Sequence, residues 1–111
     1  MKGIAPFIRV ADAEATARWY ERLGFREEWR TRGAPNLPLF LAITNGEGRI
    51  FLSEHTGDAH PDSLLYLYVN DVDAVAAEFG VEPELTYYGV REIELTDPDG
   101  NRLRIGTPVA G

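Results

Sequence analysis

The sequence predicts an α+β fold of two similar modules, each made of a strand, a helix and three further strands. The first observation is a weak internal repeat, in which residues 10–20 align with residues 69–79 at a constant offset. The second is that three strand-like runs follow each copy of the repeat. The third is the turn Asp97-Pro98-Asp99-Gly100-Asn101, in which Pro presets φ and Gly accepts a positive φ. This order indicates a single domain with modules at about 1–56 and 62–111.

The first module is predicted to begin with an apolar strand over residues 4–10. Asp12 follows at a helix N-cap position, where its side chain can accept hydrogen bonds from free backbone amides, and Gly24 is placed to end the helix. Strands are then predicted over residues 25–31, 39–44 and 50–53, with a turn at residues 45–48.

The second module repeats this plan. An apolar strand over residues 64–69 is followed by Asp71 as the N-cap of a second helix, which Gly80 is placed to end. Three strands are predicted over residues 84–88, 91–96 and 102–107, the last two joined by the turn at residues 97–101.

Composition excludes several classes of protein. The chain has 111 residues and no Cys, so disulfides, thiolate nucleophiles and cysteine metal sites are excluded. A net charge of −7 argues against nucleic acid as a partner. No apolar run approaches the roughly 20 residues that cross a bilayer, and no signal-peptide pattern opens the chain. The expected location is therefore the cytoplasm, with no membrane partner.

Five short sequences resemble the vicinal oxygen chelate superfamily, which includes glyoxalase I, extradiol dioxygenases and bleomycin-resistance proteins. They are Val10-Ala11-Asp12, Trp19-Tyr20-Glu21-Arg22-Leu23-Gly24-Phe25, Val69-Asn70-Asp71-Val72, Tyr88-Gly89-Val90-Arg91-Glu92 and Asp97-Pro98-Asp99-Gly100-Asn101. The resemblance covers nearly the whole chain. It implies the glyoxalase/bleomycin-resistance fold, in which two βαβββ modules form a curled mixed sheet around a cavity.

Enzymes of this superfamily commonly bind a divalent metal through His, Gln or Glu side chains on four strands. The resemblance places those positions at Ala5, Phe51, Leu64 and Arg104. None of these side chains can coordinate a hard divalent ion, which needs oxygen or imidazole donors. No metal and no cofactor are therefore expected. His55 and His60, in the polar stretch between the modules, are interpreted as ordinary loop residues.

Strand alternation assigns the side chains that face the cavity, because successive side chains point to opposite faces of a sheet. If the four positions above point inward, so do Phe7, Arg9, Arg49, Ser53, Tyr66, Tyr68 and Arg102, together with Glu92 and Glu94 on the next strand. The predicted ligand-binding residues are Trp29, Phe51, Tyr66, Tyr68, Tyr88, Glu92, Glu94, Arg102 and Arg104. The aromatic residues could instead be ordinary packing residues, and the two acids could be partners of the two arginines.

Within the superfamily the chain is most similar to the metal-free bleomycin-resistance proteins. That resemblance implies a homodimer that sequesters a flat aromatic drug without altering it, between stacking side chains. Pro6 matches a proline linked to exchange of N-terminal arms between subunits. Arginines on the cavity face leave the charge of the ligand open, between a cationic and an anionic aromatic compound. The alternatives are an enzyme without metal that acts on a small aromatic substrate, with a Glu or Tyr as acid or base, and a partner subunit with an empty cavity.

Overall fold

A computed structural model describes residues 3–109 and divides the chain into two compact units. The first unit runs to Ser63 and includes the turn Asp97–Asn101. The second comprises Leu64–Thr96 and continues from Arg102. The turn at residues 97–101 thus belongs with the first module, although both strands that it joins lie in the second. That both units act as a single domain stays a prediction.

The first unit is a four-stranded mixed sheet with one helix. Its strands lie in the order β1-β4-β3-β2, with β1 parallel to β4 and the other pairs antiparallel. The helix α1 packs on β2, β3 and β4. The elements are β1 (Phe7–Arg9), α1 (Ala13–Glu21), β2 (Arg26–Thr31), β3 (Phe40–Thr44) and β4 (Arg49–Ser53).

The second unit has the same plan. Its sheet order is β5-β8-β7-β6, again with one parallel pair, β5 and β8. The helix α2 packs on β7 and β8. The elements are β5 (Leu64–Tyr68), α2 (Val72–Phe79), β6 (Glu84–Leu85), β7 (Val90–Thr96) and β8 (Arg102–Pro108). The predicted α+β fold of two βαβββ modules is confirmed.

Both helices begin at the predicted N-caps. The Asp12 carboxylate accepts a hydrogen bond from the Ala15 amide at 3.1 Å, and Asp71 accepts one from the Ala74 amide at 3.2 Å. These bonds satisfy amides that have no partner within the first helical turn. The second helix ends at Gly80, which has φ 68° and supplies the left-handed conformation that terminates many helices.

One face of each sheet is buried and aliphatic, as strand alternation predicts. In the first unit Ile8, Ile50 and Leu52 are at most 4% exposed. In the second, Leu103 and Ile105 are fully buried. Burial of such side chains contributes about 1.5–3 kcal/mol each, so these faces form the cores of the two units.

Two strands are shorter than predicted by more than one residue. The first covers only Phe7–Arg9, and β6 ends at Leu85. The second difference has a clear cause: the Thr86 hydroxyl donates to the Val90 carbonyl at 2.9 Å, and Gly89 has φ 80°. A tight turn therefore replaces the end of the predicted strand and carries Tyr88.

The turn at residues 97–101 holds α1 through buried polar bonds. The Asp97 carboxylate accepts from the Tyr20 hydroxyl at 2.9 Å and from the Asn101 side-chain amide at 3.1 Å. Asp99 accepts from the Thr16 hydroxyl at 2.6 Å. Burial, and then the neighbouring Asp97 charge, raise the pKa of the Tyr20 phenol far above its ordinary value. The Asp residues of this motif therefore stabilise the fold of the first unit.

No helix within residues 3–109 is both long and apolar enough to cross a membrane.

Candidate functional site

The open face of the first unit carries a row of side chains across all four strands. Phe7 on β1 lies opposite Phe51 on β4, which lies opposite Ala42 on β3, and Ala42 lies opposite Trp29 on β2. Phe7 is 43% exposed and Trp29 is 44% exposed. Ala42 is small and fully buried, and the rings of Phe51 and Trp29 meet with their centroids 5.8 Å apart.

Phe40, two residues before Ala42 on β3, adds a fourth ring to this row. Its ring stacks on the Trp29 ring with a centroid separation of 5.5 Å and an interplanar angle of 22°. It also contacts the rings of Phe7 at 5.3 Å and Phe51 at 5.2 Å. Such ring contacts are each worth about 0.5–1.5 kcal/mol beyond the buried area. We call Phe7, Trp29, Phe40 and Phe51 the four-ring cluster.

A β-bulge at Glu28 sets the position of Trp29. The pairing of β2 with β3 shifts between Glu27 and Trp29, so that Glu28 has no residue of its own opposite it. In a regular ladder Trp29 would pair with the next residue of β3, and its side chain would point to the buried face. The bulge instead keeps Trp29 on the open face and leaves Glu28 free to pair with Arg49, its Oε2 lying 2.7 Å from the guanidinium Nη2.

The open face of the second unit is phenolic. Tyr66 and Tyr68 on β5 have ring centroids 4.9 Å apart. The hydroxyls of Tyr66 and Tyr88 both donate to the same oxygen of Glu92, Oε2, at 2.8 Å and 2.6 Å. Tyr68 is 74% exposed, and Tyr66 and Tyr88 are 39% and 49% exposed. The structure thus brings four of the predicted site residues into one group, which we call the tyrosine clamp: Tyr66, Tyr68, Tyr88 and Glu92.

Gly106 makes room for this group. A Cβ atom at Gly106 would overlap the Tyr66 hydroxyl and would lie 2.5 Å from Cγ1 of Val90. Both approaches are far shorter than van der Waals contact. Because the position lacks a side chain, the Tyr66 ring can lie over β8 and reach Glu92, the direct cross-strand neighbour of Gly106.

The remaining predicted residues form an ion-pair group two residues further along the sheet. Arg104 donates from Nε to Oε1 of Glu94 at 3.2 Å, and Arg102 lies 3.8 Å from the same oxygen. All three side chains are about 45% exposed, so solvent screens these pairs and each contributes little to stability. The alternative that the acids are partners of the arginines therefore holds for Glu94.

The phenols of Tyr66 and Tyr88 are hydrogen-bond donors at neutral pH. Partial burial and the bond to Glu92 raise the pKa of Tyr66, and the bond to Glu92 is the main cause that raises the pKa of Tyr88. A phenol with a raised pKa keeps its proton, because deprotonation would place a second negative charge beside the carboxylate. These tyrosines can orient a ligand but are poor bases.

Two residues predicted to face the cavity have structural bonds. Ser53 is fully buried and donates to Asp58 at 2.6 Å. Arg9 donates to the carbonyls of Val10 and Glu54, each at 2.9 Å. Arg9 is the last residue of β1 and Ser53 is the last residue of β4, so both side chains lie beside the loop that follows β4 and bond to it. The strand register places both on the open face with Phe40, so that they face a pocket stays a prediction.

The possible metal ligands of the chain are dispersed. Residues 3–109 contain no group of three or more His, Asp or Glu side chains that could hold a metal ion. Glu54, in the loop with both histidines, accepts the amide of Leu39 at 2.9 Å and that of Ala13 at 2.8 Å. A shallow groove of about 250 Å³ lies apart from the predicted ligand-binding residues, against Gly3, Ile4, Ala5 and part of residues 44–49.

Phe40 and Glu28 are the residues of the open faces that sequence reasoning missed. Phe40 could not be assigned to a face from the alternation of polar and apolar residues, because its strand β3 is buried on both faces and shows no such alternation. Ala42 could have indicated the face, because a small residue opposite Phe51 leaves room for a neighbouring ring. Nothing in the sequence marks the bulge that frees Glu28.

Solved structures with the same fold include proteins that bind antibiotics. A bleomycin-binding protein complexed with bleomycin matches with a TM-score of 0.74 and 23% identity, over 95% of this chain and 97% of that one. A bleomycin resistance determinant encoded on transposon Tn5 matches with a TM-score of 0.77 and 23% identity, over 96% and 97%. The antibiotic binding protein TnmS3 from Streptomyces sp. CB03234 matches with a TM-score of 0.72 and 26% identity, over 94% and 93%.

No curated protein matches the chain. The structural matches at these identities establish the bleomycin-resistance fold. A family model described as glyoxalase superfamily protein matches residues 1–111, the whole length of the sequence. This chain is therefore a member of the glyoxalase superfamily.

Proposed function

We propose that this protein binds a flat aromatic antibiotic of the bleomycin type and sequesters it in the cytoplasm, without a metal and without modifying it. The observation that carries the proposal is the pair of aromatic open faces, the four-ring cluster and the tyrosine clamp. Exposed aromatic patches of this kind mark binding sites, since leaving them in water is unfavourable. The antibiotic-binding structures of the same fold support the same ligand class.

Trp29 and Tyr68 are the side chains best suited to stack on a flat ligand. Trp29 already stacks on Phe40 on one face of its ring, and it is 44% exposed. Tyr68 is packed against Tyr66 and is 74% exposed. Both rings are held by a neighbouring ring, so a ligand would not have to order them on binding, and this favours affinity.

We further propose a homodimer in which two chains complete the binding groove. The N-terminal arms, which contain Pro6, are either exchanged between the subunits or kept by their own chains. The edge strand β2 supports an interface, because all six of its residues are exposed and its outer edge has no strand partner within residues 3–109. Unpaired edges that carry aromatic residues favour association. Size-exclusion chromatography with light scattering tests the dimer.

Titration calorimetry of the metal-stripped protein with bleomycin tests the binding function. We expect binding in the submicromolar range at about one drug per subunit, unchanged by added zinc or nickel. Trp29→Ala should weaken it about 30-fold, or about 2 kcal/mol, as expected for a stacked aromatic contact. Leu37→Ala is the control, because Leu37 is a large apolar side chain, 47% exposed, that belongs to neither group.

Three results would contradict the proposal. Binding only in the presence of metal would mean that the four metal positions were wrongly assigned. Equal affinity of Trp29→Ala and the parent protein would remove the four-ring cluster from the site. Absence of any binding, with or without metal, would favour a different ligand or a partner subunit.

An enzyme without metal is the second candidate, and Glu92 favours it. Its carboxylate is held by two phenols on an open face, where it could accept a proton from a small aromatic substrate. The two candidates differ in stoichiometry. Sequestration gives no product, whereas an enzyme would convert excess substrate at substoichiometric protein, measured by chromatography of the aromatic compound after incubation.

A further inference from the structure

We propose that Glu92 determines the specificity of the ligand site, selecting flat aromatic ligands that carry a protonated amine or guanidinium over those that carry a carboxylate. This inference rests on the proposed function, because the tyrosines that hold Glu92 are among the proposed ligand-binding residues. The ligand would then be cationic, a choice that the arginines of the sequence leave open.

Glu92 has an unused acceptor. Both tyrosine hydroxyls donate to Oε2, and Oε1 has no hydrogen-bond partner among residues 3–109. A carboxylate can accept about four hydrogen bonds, so two of its positions remain open. Its charge is also unbalanced, since no Arg or Lys within the described residues pairs with it, whereas Glu94 is paired with Arg102 and Arg104.

The acceptor is fixed in place before a ligand arrives. Tyr66 is seated over Gly106 and packed on Tyr68, and Tyr88 stands in the turn that follows β6. Each holds Oε2 by one hydrogen bond, so the Glu92 side chain loses little freedom when a ligand binds. An acceptor held in this way contributes its interaction at a small entropic cost.

A negative neighbour strengthens the preference for a cation. Glu84 on β6 lies directly opposite Glu92 on β7, so two carboxylates occupy adjacent positions of the sheet. An ammonium bound to Oε1 would gain a charge-assisted hydrogen bond, which is about twice as strong as a neutral one. A carboxylate in the same place would meet repulsion from Glu92, and the protons of Tyr66 and Tyr88 are already donated to that residue.

A matched pair of aromatic probes tests this inference. 2-Naphthylmethylammonium and 2-naphthoate have the same ring system and opposite charge, and their dissociation constants are measured by NMR chemical-shift titration at pH 7. We expect the protein to prefer the cation. Glu92→Gln keeps the shape and an acceptor oxygen but removes the charge, and should reduce the ratio of the two affinities about fivefold.

Glu84→Gln is the control, because it removes the same charge from the adjacent strand without touching the tyrosines. We expect it to change the ratio by less than about twofold, because Glu84 is exposed and no tyrosine fixes its carboxylate, so its contribution is smaller than that of Glu92. Tyr66→Phe provides a second variant: the ring remains, one bond to Glu92 is lost, and the ratio should fall while naphthalene binding persists.

The outcomes separate this inference from the proposed function. Binding of both probes with equal affinity, or an unchanged ratio in Glu92→Gln, would overturn the assignment to Glu92 and leave the aromatic site standing. An equal effect of Glu84→Gln would show that net charge, not the clamped carboxylate, selects the ligand. Failure of both probes to bind would overturn the aromatic site itself.

Discussion

The phenol of Tyr20 should stabilise the first unit by an amount that depends on pH. Tyr20 is fully buried, and its hydroxyl donates to Asp97 at 2.9 Å. In Tyr20→Phe the Asp97 carboxylate keeps the Asn101 side chain and two backbone amides as donors. One charge-assisted bond is therefore lost, without leaving the carboxylate unpaired.

The expected cost at pH 7 is about 2 kcal/mol, within the range of about 1.5–3 kcal/mol for hydrogen bonds to charged groups. That is a substantial part of the roughly 5–15 kcal/mol that stabilises a typical domain. Urea unfolding followed by circular dichroism measures it. Tyr87→Phe is the matched control, since it removes the same hydroxyl from a fully exposed ring and should change stability by less than about 0.5 kcal/mol.

The difference should shrink at alkaline pH. Burial and Asp97 raise the pKa of Tyr20 in the folded protein, whereas the phenol of the unfolded chain titrates near its ordinary value of about 10. The stabilisation is thus complete below pH 10 and is lost as the pH rises, because the unfolded state gains free energy by releasing its proton. At pH 11 that gain is about 1.4 kcal/mol, which leaves a difference of about 0.6 kcal/mol.

The other tyrosines with raised pKa values are present in both proteins, so their contributions cancel in the comparison. A stability loss below about 0.5 kcal/mol at pH 7 would refute the bond to Asp97 as a significant contribution. A loss of stability that stays constant from pH 7 to pH 11 would refute the inference that the Tyr20 phenol stays protonated in the folded protein, even if the hydrogen bond itself is correct.

Three further changes test the geometry of the open faces. Deletion of Glu28 should restore a regular ladder in which Trp29 still lies opposite Ala42. The affinity for bleomycin, measured by calorimetry, should then stay within about threefold of the parent value. Loss of binding would show that the bulge itself shapes the site. Gly106→Ala should destabilise the protein by about 1–3 kcal/mol in urea unfolding, because the new Cβ overlaps the Tyr66 hydroxyl, and an unchanged midpoint would place Tyr66 elsewhere. Asp99→Ala should cost about 1–3 kcal/mol in the same assay, since the Thr16 hydroxyl and a backbone amide would lose their acceptor, and a neutral result would make the turn dispensable for holding α1.

The fold could be predicted because local chemistry and periodicity agree. Asp12 and Asp71 are good N-caps at the start of alanine-rich segments, and both helices begin after them. Alternation also places Ile93 and Leu103 in the core. The end of β6 could not be predicted from propensity, since it depends on the bond between Thr86 and the Val90 carbonyl, which forms only once β7 is in place.

The site was predicted less completely, because its residues are placed by features that have no local signal. Trp29 lies on the open face only through the bulge at Glu28, and Phe40 belongs to a strand buried on both faces. The same is true of Tyr66, which depends on a glycine forty residues later in the chain. Strand alternation identified the faces, but cross-strand register decides which side chains meet on them.

The two modules share a plan and differ in the chemistry of their open faces. The four-ring cluster contains only hydrocarbon rings and the indole of Trp29, so it can offer area and stacking but little selection by charge. The tyrosine clamp offers smaller apolar area but a carboxylate fixed by two hydroxyls. Changes in the first face should therefore alter affinity for all flat aromatic ligands alike, whereas changes in the second should alter which charge is accepted. Under the proposed function, substitution at Glu92 should change the charge that the tyrosine clamp accepts and leave the four-ring cluster unchanged.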